Sequence, residues 1–178
     1  PAVPAPPTGL PNRRQFEREL QSCAEHARFV ADGCALLIID LDRFGRINHS
    51  LGQAAGNQVL VAVAERLRVG IRSVDMAAHL GGDVFAVLLA GVSGPDAATC
   101  MARKITATLG LPIEVGDDFV MVTASVGVAL YGADGRDPRA LMTAADAALA
   151  RAKQRGGQHI ELSHGATPDA DHGRSLRR

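Results

Sequence analysis

The 178 residues carry 19 Lys+Arg against 19 Asp+Glu, so no net field draws the whole molecule to nucleic acid or to an anionic membrane. Apolar residues make up 47%, enough for one ordinary domain with a real core, while aromatics at 3% and no Trp exclude a stacking surface for single-stranded nucleic acid. No aliphatic run approaches the roughly 20 residues of a membrane span, the uncharged Pro/Ala-rich start is no signal peptide, and three cysteines without CxxC spacing argue against a zinc site or disulfide framework and for a reducing cytoplasm.

PAVPAPP (1–7) is too Pro-rich for a helix or central strand and reads as a linker. The start at Pro1 without Met reads as a fragment cut from a longer protein. Asn12 can cap a helix from Arg13 to about Arg28, with Phe16, Leu20 and Cys23 on one face. CALLII (34–39) predicts a buried strand ending in Asp40 and Asp42, followed by a turn over FGRINHSLG (44–52). A second helix is expected from Ala54 to Gly70. MAAHL (76–80) and VFAVLL (84–89) flank Gly81-Gly82-Asp83, which signals a β-hairpin. A third helix is expected from Pro95 or Asp96 to Leu109, then a short strand at IEV (113–115) and one long strand over VMVTASVGVAL (120–130). A last helix from Pro138 to Gln154 precedes a short strand, HIEL (159–162), and the polar segment 163–178 reads as a tail or as a linker to a further domain. Interleaved helices and strands with one tight hairpin predict an α/β (α+β) mixed sheet with packed helices. Met101, Met121 and Met142 are assigned to the core. The histidines do not cluster, and His26, His164 and His172 are expected to face solvent.

Asp40 and Asp42 stand where a strand opens into a turn, facing a hairpin tip that carries Asp83. Carboxylates so placed could hold Mg²⁺ together with phosphate oxygens. Gly81 and Gly82 would let the backbone approach a ligand closely. An ordinary strand end and an ordinary turn explain the same residues.

Seven segments decide between the two readings: TGLPNRRQF (8–16), IIDLDRF (38–44), INHSLGQAAG (47–56), RSVD (72–75), LGGDVF (80–85), TASVGVA (123–129) and ADAALARAK (145–153). In this order and at these distances the chain resembles the GGDEF family, the diguanylate cyclase domain of bacteria, over nearly the whole of residues 8–162. The resemblance implies a five-stranded central sheet with surrounding helices, related to the palm of nucleotidyl cyclases and polymerases, with the signature on a β-hairpin. It also implies homodimers in which each protomer presents one GTP, and Mg²⁺-assisted formation of cyclic di-GMP.

Carried over residue by residue, Asp40, the Leu41 carbonyl and Asp83 match the metal ligands, and Asp83 also matches the catalytic acidic residue. Asn48, Asn57, Gly81, Gly82 and Lys153 fall at nucleotide-binding positions. The chain departs from the pattern at several of them. Val84 replaces the second acidic residue of the signature. Asn57 replaces an Asp that accepts from guanine, Gly45 a Lys, Gly157 an Arg, Gln53 a His and His49 an Asp; Arg155 is a candidate to reach in for the missing Arg. Ala5 and Pro7 break the entry motif, which implies a loosened linkage to any sensor domain. Arg72 and Asp75 form RxxD, nine positions before Gly81, the register of the family's product-binding site. An Arg fork suits guanine O6 and N7, and a carboxylate suits its N1–H and 2-amino group. Arg103 is in rough register with a secondary arginine of that site.

The expectation is therefore a catalytically impaired, cytoplasmic regulatory domain that binds cyclic di-GMP, with no nucleic-acid partner and no membrane insertion of its own. Mg²⁺ enters only with nucleotide in the ancestral pocket. Other readings stay open: a GTP-binding regulator of an attached phosphodiesterase (EAL) domain, a slow cyclase, or a scaffold that binds no nucleotide.

Overall fold

The computed structural model describes residues 8–29, 33–92 and 94–163. The expected linker over 1–7, His164, His172 and most of the tail lie outside them. Asn12 caps helix α1 (Arg13–Phe29) reciprocally: its Oδ1 accepts the Gln15 N–H while Gln15 Oε1 accepts the Asn12 N–H, both at 2.9 Å. The helix buries Phe16, Leu20 and Ala24 and leaves Cys23 half-buried.

Strand β1 (Cys34–Leu41) is almost wholly buried, as its unbroken apolar run requires. The segment expected as a turn is instead a short helix, α2 (Phe44–Leu51), followed directly by α3 (Gln53–Gly70). Phe44 is buried and Ile47 packs against the core, so an apolar pair one turn apart anchors α2. The hairpin forms as expected from β2 (Met76–Gly81) and β3 (Val84–Ala90), and α4 (Pro95–Leu109) follows.

The single long strand expected over 120–130 is two. Strands β4 (Ile113–Val115) and β5 (Asp118–Val120) make a separate hairpin, in which Val120 pairs with Ile113. Met121 then turns outward and is 70% exposed, so it is not a core residue. Strand β6 (Ala124–Leu130) resumes in the main sheet. Helix α5 (Pro138–Gln154), capped by Asp137, and β7 (Ile160–Leu162) complete the fold.

The main sheet has five strands in the order β2-β3-β1-β6-β7, antiparallel except for the β6–β7 pair, so the mixed α/β sheet is as expected. Alternation along the strands sorts two cores. Leu37, Ile39, Phe85, Val87, Val126 and Val128 pack with residues of α3 and α4 on one face. Leu36, Ile38, Ala86 and Leu88 pack with Phe16, Leu20, Leu141 and Ala145 of α1 and α5 on the other. Gly127 lets α5 lie directly on β6, since a Cβ there would fall 2.1 Å from the Ala145 carbonyl oxygen. No helix among the described residues is long and apolar enough to cross a membrane.

Candidate functional site

β1 ends where β3 begins, and the chemistry-bearing side chains gather there. Asp40 is in register with Val84 on one side and Ser125 on the other. The hairpin tip turns through Gly81 and Gly82 at φ +125° and +54°, a conformation that favours glycine at both positions. His79 braces the tip, stacking on Phe85 with centroids 4.6 Å apart and bonding Gly82 O at 2.7 Å through Nε2. The tip is tied to β1 because the Leu41 N–H donates to Asp83 O at 3.1 Å. Asp40, Leu41, Gly81, Gly82 and Asp83 therefore meet as expected.

Lys153, from the end of α5, lies 3.3 Å from Asp40 and 2.9 Å from Asp42. Burial, reinforced by the neighbouring Asp83 charge, lifts the Asp40 carboxyl above its ordinary value against the pull of Lys153. Burial works against the Lys153 charge too, yet the two carboxylates hold its ammonium above the usual lysine value.

Asp42 is no free metal ligand. Its carboxylate accepts from Ser125 Oγ at 2.7 Å and from Thr123 Oγ1, Lys153 Nζ and the Gln158 N–H at 2.9 Å each. Burial opposes its charge, but these four donors more than offset it and keep the carboxyl below its ordinary value. Asp42 thus joins β1, β6, α5 and the loop after α5. That loop runs through Gly156, Gly157 and Gln158 at φ +100°, +80° and +56°, and a Cβ on Gly157 would lie 2.9 Å from Asp42 Oδ1. Gly157 is therefore where the backbone closes over Asp42, beyond any missing arginine. Arg155 does not reach in; it pairs with Glu161. Gly45 has open space around it.

Asn48 lies on α2 and Asn57 on α3, on either side of the α2–α3 junction. The Asn48 Oδ1 is buried with no hydrogen-bond partner and lies only 1.7 Å from where a Cβ on Gly56 would stand. A buried acceptor left unpaired is costly, and a purine N–H edge or an ordered water would relieve it. Gly56→Ala must push the Asn48 amide aside. We expect an overpacking cost of about 1–3 kcal/mol to exceed alanine's helix gain of about 1 kcal/mol, read as a lowered urea midpoint. An unchanged or raised midpoint would show that Asn48 moves freely.

Arg72 and Asp75 sit at the opposite end of the β2–β3 hairpin, roughly 20 Å along the strand by its rise per residue. Asp75 is fully covered: Oδ2 accepts from Arg72 Nε at 2.8 Å and from the Arg72 N–H at 3.0 Å, while Oδ1 accepts from Arg72 Nη2 at 2.7 Å and from the Ala90 N–H at 3.1 Å. Arg72 also donates to Ala90 O at 2.8 Å, yet its side chain remains 47% exposed. Asp75 holds and aims Arg72. Arg103 lines a separate cavity of about 420 Å³ with Thr99, Gln158 and His159, and neither Arg72 nor Asp75 lines it.

The sequence matches the family described as "Diguanylate cyclase, GGDEF domain" over residues 6–159. The chain belongs to the GGDEF family. The diguanylate cyclase TpbB of Pseudomonas aeruginosa is 42% identical over 148 residues, covering 83% of this chain and 34% of that protein. The bifunctional diguanylate cyclase/cyclic di-GMP phosphodiesterase MucR of the same organism is 38% identical over 149 residues, covering 84% of this chain and 22% of MucR. This GGDEF domain thus spans about a third or less of these curated relatives. The structure of TpbB reduced to its GGDEF domain superposes with a TM-score of 0.85 at 40% identity, covering 88% of this chain and 91% of that one.

Within the GGDEF domain, Val84 points to the α1/α5 face, like its register partner Asp40, and packs against that apolar cluster. No group of three or more His, Cys, Asp or Glu among the described residues stands ready to hold a metal. Asp40, Asp83 and the Leu41 carbonyl are oxygen donors of the kind Mg²⁺ takes, and they do not make a self-sufficient cage. Sequence reasoning missed Thr123, Ser125 and Gln158, which fix Asp42, and Arg43 and Arg46, which line a cleft of about 310 Å³ beside it. Arg43 holds a positive φ of 55° before α2, a conformation that its sequence does not announce.

Proposed function

We propose that this GGDEF domain reads cyclic di-GMP more than it makes it. It binds the dinucleotide at the Arg72–Asp75 corner and condenses GTP poorly. The observation that carries this is Val84 beside Asp40: the position that would add a third carboxylate on the metal-facing side carries an apolar side chain packed into the α1/α5 core. Asp40, Asp83 and the Leu41 carbonyl would hold Mg²⁺ with nucleotide, and the ion when bound would neutralise phosphate charge and lower the pKa of an attacking hydroxyl. Lys153 offsets the Asp40–Asp83 repulsion and is placed to meet phosphate oxygens. With one carboxylate fewer, and Asn57 in place of a charged guanine acceptor, metal and base are both held more weakly.

At the corner, Arg72 supplies the exposed fork for guanine O6 and N7, and Asp75 fixes its direction. A second reading, GTP held without turnover, is favoured by the unpaired Asn48 acceptor. In either reading the domain works in the cytoplasm, where GTP is available, alone or as a homodimer, and signals to attached domains. An EAL phosphodiesterase is one such domain, in keeping with the bifunctional name of MucR.

Calorimetric titration tests this. Cyclic di-GMP should bind the wild type, and Arg72→Ala should weaken binding by about 10–100-fold, the worth of a charged bidentate contact. Absence of binding at ligand concentrations of order 100 μM would retire the receptor reading. GTP binding that is lost on Asp83→Ala would favour the second.

A further inference from the structure

Helix α4 carries three threonines, and two of them bond back to their own helix: Thr106 Oγ1 donates to Arg103 O and Thr108 Oγ1 to Lys104 O, both at 3.0 Å. The third, Thr99, is 8% exposed, and its Oγ1 is buried without a hydrogen-bond partner. Thr99 stands one turn before Arg103 on the same face of α4, and both line the cavity of about 420 Å³ between that helix and the edge strand β7. Gln158 and His159 line it from the loop before β7, and Ile160 and Leu162, alternate residues on one face of the strand, supply its apolar wall. Among the described residues no carboxylate lines it, and the Arg103 guanidinium has no ion-pair partner. We propose that this cavity binds a small organic phosphate monoester, with the phosphate on Arg103, His159 and Thr99 and the organic part against Ile160 and Leu162.

The donor set selects the ligand. A carboxylate's two oxygens would be filled by the Arg103 fork alone, leaving the Thr99 hydroxyl and the His159 ring unused. A phosphate monoester presents three terminal oxygens, enough for a guanidinium, an imidazole N–H and a hydroxyl together. A helical threonine has two favoured side-chain rotamers, so Thr99 can turn its hydroxyl to the ligand without backbone movement. The volume exceeds what inorganic phosphate needs and falls in the lower range of ordinary small-molecule sites. The location gives an occupant a structural effect. Gln158 also lines the cleft of about 310 Å³ beside Asp42, and its N–H donates to Asp42 Oδ2 at 2.9 Å. A ligand in the cavity therefore bears on the loop that closes over Asp42, while Arg72 and Asp75 take no part. The site stands whether or not the domain makes cyclic di-GMP.

Phenyl phosphate is the probe, titrated into the isotopically labelled whole chain and followed by NMR. It should shift the amide signals of Thr99, Arg103, Gln158 and His159 in a saturable way; inorganic phosphate should shift the same signals more weakly, and phenol should not. Arg103→Gln should weaken phenyl phosphate binding by about tenfold or more, the worth of a charge-assisted contact. Thr99→Val, which removes the hydroxyl and keeps the shape, should weaken it several-fold. The same variant should leave the urea midpoint of the free protein unchanged or raised, because the hydroxyl it deletes is unpaired. Cyclic di-GMP should not displace the probe. The proposal fails if phenyl phosphate at about 10 mM moves none of these signals, or if Arg103→Gln binds it as the wild type does. Displacement by cyclic di-GMP would also overturn it, by making the cavity part of the dinucleotide's own site.

Discussion

Asp42→Ala is expected to destabilise the fold by about 1–3 kcal/mol, the cost of leaving part-buried donors without their acceptor. Its side chain is 10% exposed, and its removal takes the acceptor from the Ser125 and Thr123 hydroxyls and the Gln158 N–H together and leaves Lys153 with Asp40 alone. Asp42→Asn, which keeps the shape and loses the charge, should fall between the two. Urea unfolding gives the numbers. The pH dependence carries a second signature. The folded-state carboxyl of Asp42 lies below its unfolded value of about 3.9. Its contribution is therefore complete above that value and is lost as pH falls through the folded one. Asp40 has the opposite sign: its folded value is raised, so its ionisation works against the fold as pH climbs from the ordinary carboxylate value past the raised one. Asp42→Ala should flatten the acid limb of the stability curve, and a limb as steep as the wild type's would show that Asp42 is not the hub of this region.

Val84→Glu should increase cyclic di-GMP formation from GTP by about tenfold or more, in line with the 10–100-fold effects of groups that tune a metal site. The new carboxylate would stand on the same face as Asp40, one strand away and in register. Without metal it adds a like charge to the Asp40–Asp83 pair and replaces a packed apolar group, so the apoprotein should lose stability. Mg²⁺ should then raise the thermal midpoint of Val84→Glu and leave the wild type nearly unchanged. Adding Asn57→Asp should increase turnover again by restoring a charged acceptor for guanine. Adding Gly157→Arg should not help, because position 157 has φ +80° and a Cβ there meets Asp42 at 2.9 Å. A Val84→Glu protein that neither gains turnover nor becomes Mg²⁺-sensitive would place the defect elsewhere.

The sheet and its hairpin were legible because continuous apolar runs and the Gly81-Gly82 pair are strong local signals, and α5 ran as its Pro138 start and Gly156-Gly157 stop imply. Helix α2 was not: Gly45 lowers its intrinsic propensity, its N-cap Arg43 provides no side-chain cap, and Phe44 against the core holds it in place. The break between β5 and β6 was hidden because Val120, Met121 and Val122 are all apolar, although Val120 pairs in the small hairpin and Met121 faces outward. At the site, Asp40, Asp83 and Lys153 were found by motif, and their meeting is a matter of register. The work of Asp42 was not visible, since its donors come from positions 123, 125, 153 and 158 and only the fold brings them together. Asp75 could be named from RxxD, but its burial beneath Arg72 depends on the backbone of Ala90 across the hairpin.

The most direct measurement is the initial rate at which the purified wild-type chain converts GTP and Mg²⁺ to cyclic di-GMP, followed by chromatography. A domain short of its third carboxylate should form little or no product above a protein-free control. Sustained multiple turnover by the unaltered chain would contradict the account.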